Sequence, residues 1–232
     1  MRITNCLNTT IEDVKAKKFN IFIGISLGNK YFVNKYNTRE FISWALENSK
    51  HDVVVLIPDK IHLVNYEVRN GYSREKAYRA VLRKSEETER LIEEIIITLS
   101  EVEKNRVAIL TWKNIENDPD YQSRRNILRR AFKENLEFRT RIIEATRESV
   151  NPNILNLSEN DYEKLASYPS DELPVLVAGF QYNGRKYNLI PYPGISKIDY
   201  LTIDLQNGKS FPEISKELNI QEKVAIVEAY AK

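Results

Sequence analysis

"HDVVVLIPD", residues 51–59, sets the reading of the fold. Val53 to Ile57 is an unbroken run of branched or long apolar residues, stopped by Pro58-Asp59. A strand wetted on one face alternates apolar and polar residues; a continuous apolar run fits a parallel strand covered on both faces. Upstream, "NIFIGIS" (20–26) alternates and then runs apolar, and downstream "RVAILTW" (106–112) reads the same way. Both are expected to be buried strands. Helical periodicity fills the gaps. Thr38 is expected to open a helix carrying Phe41, Ile42, Ala45 and Leu46, and Ser73 to about Glu103 reads as long helical structure. Tyr121 to about Ser149 is helical again. Strand–helix–strand–helix–strand predicts a doubly wound α/β sheet, mostly parallel and flanked by helices. No linker, low-complexity segment or internal repeat interrupts it, so residues 1–232 are expected to form a single domain. Further on, Asp161 to Phe180 reads as helical despite Pro169 and Pro174. Asn183-Gly184 signals a turn before a short strand, Lys186 to Ile190, and helices are expected over Ser196–Leu205 and Pro212–Tyr230.

Apolar residues make up 42% of the chain, enough for a sizeable core. No apolar run approaches the roughly 18–20 residues that span a membrane, and "MRITNCLNTT" lacks the order of a secretory signal. A cytoplasmic protein with no membrane partner is expected. The single cysteine, Cys6, allows no internal disulfide and no thiolate metal site, and reads as unreactive. Neither a metal nor a cofactor is expected. The net charge of +2 conceals two basic blocks. Arg69 to Arg90 holds seven basic residues against four acidic, and Arg124 to Arg147 eight against three, whereas Glu159 to Glu172 is acidic. Such blocks fit a polyanion-facing surface or an ordinary solvated helix face.

Gly24-Ile25-Ser26-Leu27-Gly28 matches the G-x-S-x-G of a hydrolase nucleophile elbow. The elbow needs a helix directly after the serine, then an acid and a histidine further along. Here the helix is expected only near Thr38, and the two histidines, His51 and His62, lie too early in the chain. A serine can accept an acyl group without a histidine when its substrate is already an activated ester. If the leaving alcohol carries a vicinal hydroxyl, as at the 3′ end of an aminoacyl-tRNA, that group helps move the proton. The protein then supplies positioning and a stabilised oxyanion.

"GISLGNKYF" (24–32), "YPSDELP" (168–174) and "PYP" (191–193) together resemble, in order and spacing, the signature regions of the cyclodipeptide synthases. The resemblance implies a Rossmann-like domain similar to the catalytic domains of class I tyrosyl- and tryptophanyl-tRNA synthetases. It also implies an aminoacyltransferase that joins two aminoacyl-tRNAs per turnover into a 2,5-diketopiperazine by ping-pong chemistry. No HIGH-like, KMSKS-like or P-loop signature for ATP is present. Ser26 falls on the family's nucleophile. Asn29 falls on a substrate-positioning residue, although "LGNK" is turn-like in its own right. Tyr168 and Glu172 fall on a Tyr-x-x-x-Glu pair that holds the substrate ammonium and takes part in proton transfer. Pro169 makes Tyr168 a candidate helix cap rather than a helical residue. Tyr192 falls on a tyrosine implicated in proton relay during cyclisation. Two branches of the family differ near the nucleophile and after this tyrosine. Pro193 points to one and Asn29 to the other, and both assignments stay open.

Phe22, Gly24, Val54, Leu56, Val175 and Ile190 are candidates for a pocket around the first amino acid, and equally for plain strand core. Gly24 would permit close approach to the backbone. Lys76, Arg79, Arg83 and Arg90 recur at roughly helical spacing, flanked by Lys84, where the resemblance places a tRNA-contacting helix. The second block, Arg124, Arg125, Arg129 and Arg130, extends this surface or is a solvated face. A monomer is favoured. Two other functions fit the same residues: a non-catalytic tRNA- or RNA-binding protein on a synthetase-like scaffold, and a serine hydrolase.

Overall fold

The computed structural model describes residues 1–150 and 157–231. Among them the strands are β1 (Arg2–Leu7), β2 (Ile21–Gly24), β3 (Val53–Ile57), β4 (Val107–Thr111), β5 (Phe180–Tyr182), β6 (Arg185–Tyr187), β7 (Leu189–Tyr192) and β8 (Ala225–Tyr230). Six of them form one sheet in the order β1-β8-β7-β2-β3-β4, while β5 and β6 pair as a separate hairpin. The pairs β8–β7, β7–β2, β2–β3 and β3–β4 are parallel, and only the edge strand β1 runs antiparallel, against β8. The doubly wound α/β fold is therefore present.

β3 sits inside the sheet, between β2 and β4, with all five residues buried. Its alternate residues serve two separate layers. Val53, Val55 and Ile57 join Ile21 and Ile23 against Phe41 and Ile42 of the helix Lys35–Asn48 and Ile92 and Ile95 of the helix Arg74–Ile97. Val54 and Leu56 join Phe22 on the opposite face, against Val175 of the helix Ser167–Ala178 and Phe180 of the hairpin. A strand packed on both faces has no position for a polar side chain, which explains the unbroken run. A third apolar cluster lies among the helices Pro119–Glu134, Leu136–Ser149, Ser167–Ala178, Lys197–Asn207 and Pro212–Leu218.

Three expectations change, and one strand is new. The helix expected over Pro212–Tyr230 stops at Leu218, where Asn219 adopts a left-handed φ of 46° and ends it. The chain then forms β8, a short apolar run that suits helix or strand and pairs as a strand because β1 and β7 flank it. β1 itself was not foreseen. The segment Tyr121–Ser149 is two helices, because Asn135 takes an extended conformation and caps the second by accepting from the Phe138 N–H. The strand expected at Lys186–Ile190 is divided between β6 and β7. Among the described residues, no helix is long and apolar enough to cross a membrane.

Candidate active site

The chain leaves β2 toward β3 on one side, while β7 lies on the other side of β2. Neighbouring strands whose connections diverge open a crevice at their carboxyl ends, where open α/β sheets bind ligands. The residues at that crevice are those just after Gly24 in β2 and at Tyr192 in β7. Ser26 thus reaches the switch point by topology alone.

Ser26 opens a turn. The Asn29 N–H donates to the Ser26 carbonyl at 3.0 Å, and Gly28 holds φ at +83°, the positive value that the third residue of a type II turn requires. Asn29 then caps a helical turn, Lys30–Val33, by accepting from the Tyr31 N–H at 2.9 Å. Helical structure therefore begins at Lys30, not near Thr38, because Asn29 and Asn34 cap two successive helical segments. The Asn29 amide also donates to the Tyr192 hydroxyl oxygen at 3.4 Å. Burial pushes the Tyr192 phenol up, while its hydrogen bonding with Asn29 and Ser26 pulls it back. Asn29, Tyr192 and Ser26 are thus brought together.

Tyr168 lies in the first turn of the helix Ser167–Ala178, and Ala166 is the cap. Pro169 does no harm there, since the first N–H groups of a helix lack intrahelical partners anyway. One turn on, Glu172 accepts a 2.7 Å hydrogen bond from the Tyr168 hydroxyl. Burial pushes the Glu172 carboxyl up to about 7, against the pull of that hydrogen bond and reinforced by the charge of Asp199. Burial, with the Glu172 charge beside it, holds the Tyr168 hydroxyl well above the usual phenol range. Both side chains are half-buried, and Glu172 lines the small cavity beside Gly24. Among the described residues, no lysine or arginine pairs with Glu172 within 4.0 Å. A buried carboxylate next to a second acid and without a cation offers a ready place for a positive ligand.

Two members of this group went unread in the sequence. Asp199 completes a capping box with Ser196 at the start of the helix Lys197–Asn207. Ser196-x-x-Asp199 is legible as a cap, but only the packed structure turns it toward Glu172 and Tyr192. His62 is buried with its ring edge-on to Tyr168, centroids 5.2 Å apart, and accepts no charge at neutral pH because burial and Arg69 lower it to about 4. His51 precedes the amino end of β3, at the end of the sheet opposite Ser26. Neither histidine completes a hydrolase triad.

Of the proposed pocket residues, Phe22, Gly24, Leu56, Val175 and Ile190 line one small cavity of about 30 Å³, with Trp112 and Glu172. Val54 packs in the same layer without lining it. A Cβ on Gly24 would stand 3.2 Å from the Ile190 Cδ1 methyl, so the absence of a side chain keeps this space open.

The helix Arg74–Ile97 carries the basic stripe. Arg79 pairs with Glu75 at 3.6 Å, Arg83 with Glu87 at 3.9 Å, Lys84 with Glu87 at 3.2 Å and Arg90 with Glu86 at 3.6 Å. Lys76 lies over the Tyr72 ring, 3.8 Å from its centroid. Exposed pairs of this kind are worth about 0–1 kcal/mol, so a phosphate can displace the glutamates. The second basic block has a different use. Arg125 and Arg129 both fork onto Asp171, and Arg130 pairs with Glu217. Asp171 is buried, so two of these arginines hold the helix that carries Tyr168 and Glu172. Among the described residues, no group of three or more His, Cys, Asp or Glu side chains is arranged to hold a metal ion.

The sequence profile of the cyclodipeptide synthases matches residues 4–199. The cyclo(L-leucyl-L-phenylalanyl) synthase of Streptomyces noursei is 28% identical over 127 residues, 55% of this chain and 52% of that protein, so the alignment spans about half of that relative. The crystal structure of a cyclodipeptide synthase from Bacillus thermoamylovorans superposes with a TM-score of 0.77 at 20% identity, covering 94% of this chain and 90% of that one. A cyclodipeptide synthase from Candidatus Glomeribacter gigasporarum, solved bound to Phe-tRNAPhe, superposes with a TM-score of 0.55 at 16% identity, covering 91% of this chain and 87% of that one. These structural likenesses are likenesses of fold. The profile match over most of the chain carries the assignment: this protein belongs to the cyclodipeptide synthase family.

Proposed function

We propose that this chain makes cyclic dipeptides from two aminoacyl-tRNAs by ping-pong acyl transfer through an aminoacyl ester on Ser26. The observation that carries this reading is Glu172, hydrogen-bonded to Tyr168 at 2.7 Å and lining a cavity that Gly24 and Ile25 also line, one residue from Ser26. A carboxylate without a cation suits the α-ammonium of an aminoacyl ester. Family membership supports the substrate class, and so does the relative bound to Phe-tRNAPhe.

The Ser26 oxygen attacks the aminoacyl ester and the tRNA leaves with its 3′-terminal alcohol. Because Asn29 donates to the Tyr192 oxygen, the Tyr192 proton is free to point at the Ser26 side. Burial keeps that phenol protonated, so it acts as a donor to developing negative charge. The amine of aminoacyl-Ser26 then attacks the ester of a second aminoacyl-tRNA, releasing that tRNA and leaving a dipeptidyl ester on Ser26. The new terminal amine attacks the Ser26 ester, expels the serine oxygen and closes the ring. Each amine must shed a proton before attack, and a carboxyl near pH 7 is matched to that task.

Intact-protein mass spectrometry after mixing with charged tRNAs tests this. The expected result is an aminoacyl mass on the wild type, none on Ser26→Ala, and diketopiperazine only with the wild type. Normal product formation by Ser26→Ala would overturn the proposal. tRNA binding with neither adduct nor cyclic product would favour an RNA-binding role instead.

A further inference from the structure

The Ser26 loop borders two spaces. Gly24 and Ile25 face the small apolar cavity that holds Glu172. On the other side, Ser26 and Gly28 line a more open groove of about 240 Å³ with Phe32, Leu91, Lys84 and Glu87. An ester attacked by Ser26 also has two sides, an acyl half and an alcohol half. The small cavity holds the carboxylate without a cation, which suits the α-ammonium of the aminoacyl half. The groove therefore falls to the alcohol, and its chemistry fits a sugar.

Half-buried Leu91 offers apolar surface to a ring. Glu87 offers a carboxylate, which only accepts hydrogen bonds and so seeks hydroxyl donors. Lys84 at 3.2 Å and Arg83 at 3.9 Å hold that carboxylate in place. Acidic side chains recognise ribose hydroxyls elsewhere in open α/β folds by the same pairing of acceptor and diol. The groove is somewhat smaller than the roughly 300–1,000 Å³ of common small-molecule sites, so it suits one sugar with part of its neighbour. Building on the proposed function, we infer that this groove seats the terminal ribose of the tRNA and that Glu87 accepts a hydrogen bond from its vicinal hydroxyls. The glutamate, unlike the lysines and arginines of the helix, is then a recognition residue in its own right.

The test compares binding of two uncharged tRNAs, one ending in adenosine and one in 2′,3′-dideoxyadenosine, to wild type, Glu87→Ala and Glu87→Gln. Removing Glu87 also frees Lys84 and Arg83 for phosphates, so the readout is the ratio between the two tRNAs and not the absolute affinity. The wild type should prefer the ribose end by about ten- to a hundredfold, the usual cost of a hydrogen bond to a charged group. Glu87→Ala should show a ratio near one, and Glu87→Gln, which keeps an acceptor oxygen, an intermediate ratio. A wild-type ratio in Glu87→Ala, or no discrimination by the wild type, would overturn the inference while a Ser26 adduct left the proposed reaction standing. A wild type that binds neither tRNA and gains no adduct would remove both.

Discussion

Glu172 sits where a carboxylate is costly. Its folded-state pKa of about 7 lies well above that of an exposed glutamate, chiefly because burial strips water from the charge. Between the ordinary glutamate range and pH 7, the folded chain binds a proton that the unfolded chain has released. Stability must therefore fall as pH rises through that window, by up to about 1.4 kcal/mol per pH unit from this one group. Glu172→Gln removes the ionisation. We expect it to be more stable than the wild type at pH 8, with the difference closing by pH 5, as measured by urea denaturation. Acylation of Ser26 should respond in the opposite sense. Its rate in the wild type should rise through about pH 7 as the carboxylate forms, and Glu172→Gln should lack that rise in single-turnover assays. Gly24 makes a second residue-scale case. A methyl group there would press on Ile190 at 3.2 Å, and the Ile190 tip can yield. Gly24→Ala should fold with a loss of about 1 kcal/mol. It should also narrow the range of first amino acids accepted, visible in the product spectrum of competing charged tRNAs.

The helix Ser167–Ala178 carries the site's acid pair, and its position is fixed from behind. Asp171 accepts from Arg125 and Arg129 of the helix Pro119–Glu134. The Tyr121 hydroxyl donates to the Asp171 backbone carbonyl at 3.0 Å and accepts from the Trp112 indole N–H at 3.0 Å, while the Trp112 backbone N–H donates to the Asp59 carboxylate at 2.9 Å. Trp112 is also a wall of the small cavity. One chain of hydrogen bonds thus couples the cavity wall to the helix that bears Tyr168 and Glu172. Pro174 removes one hydrogen bond from this helix, so the tie to its neighbours matters more. Asp171→Ala removes the shared acceptor of two partly exposed arginines, and should cost about 1–3 kcal/mol in denaturation experiments. It should also lower the acylation rate without touching the substrate. Tyr121→Phe, which keeps the ring and deletes both hydrogen bonds, should cost about 1–3 kcal/mol.

At the scale of the whole molecule, charge is organised by use. The exposed basic stripe of the helix Arg74–Ile97 flanks the groove beside Ser26, since Lys84 belongs to both. Each phosphate bound there releases a counterion. Affinity for tRNA should fall with salt along a log–log slope of about −3 to −5, and Lys76→Ala or Arg79→Ala should each make that slope shallower by about one. Arg125→Ala should leave the slope unchanged, because its charge is committed to Asp171. Titration of binding between low and high salt checks all three variants together.

The periodicity of the sequence determined the alternation of buried strands and helices, because burial on both faces demands apolar residues whatever the neighbours are. Ser26, Asn29, Tyr168, Glu172 and Tyr192 were legible as a group only through their joint resemblance to a family, since each alone is an ordinary residue type. Tyr168 and Glu172 were the exception in part, as four-residue spacing on a helix is local geometry. Only the tertiary structure decided the rest. "KVAIVEAY" becomes β8 and not a helix because β7 and β1 offer it unpaired backbone groups on either side. Arg125 and Arg129 look like a polyanion surface until Asp171 is placed between them, 42 and more residues away in the chain. His62, Asp199 and Glu87 reach the site through packing between elements distant in sequence, and no local pattern records such contacts. Sequence governs what a segment buries; which distant groups share that burial is set by how the sheet orders its strands.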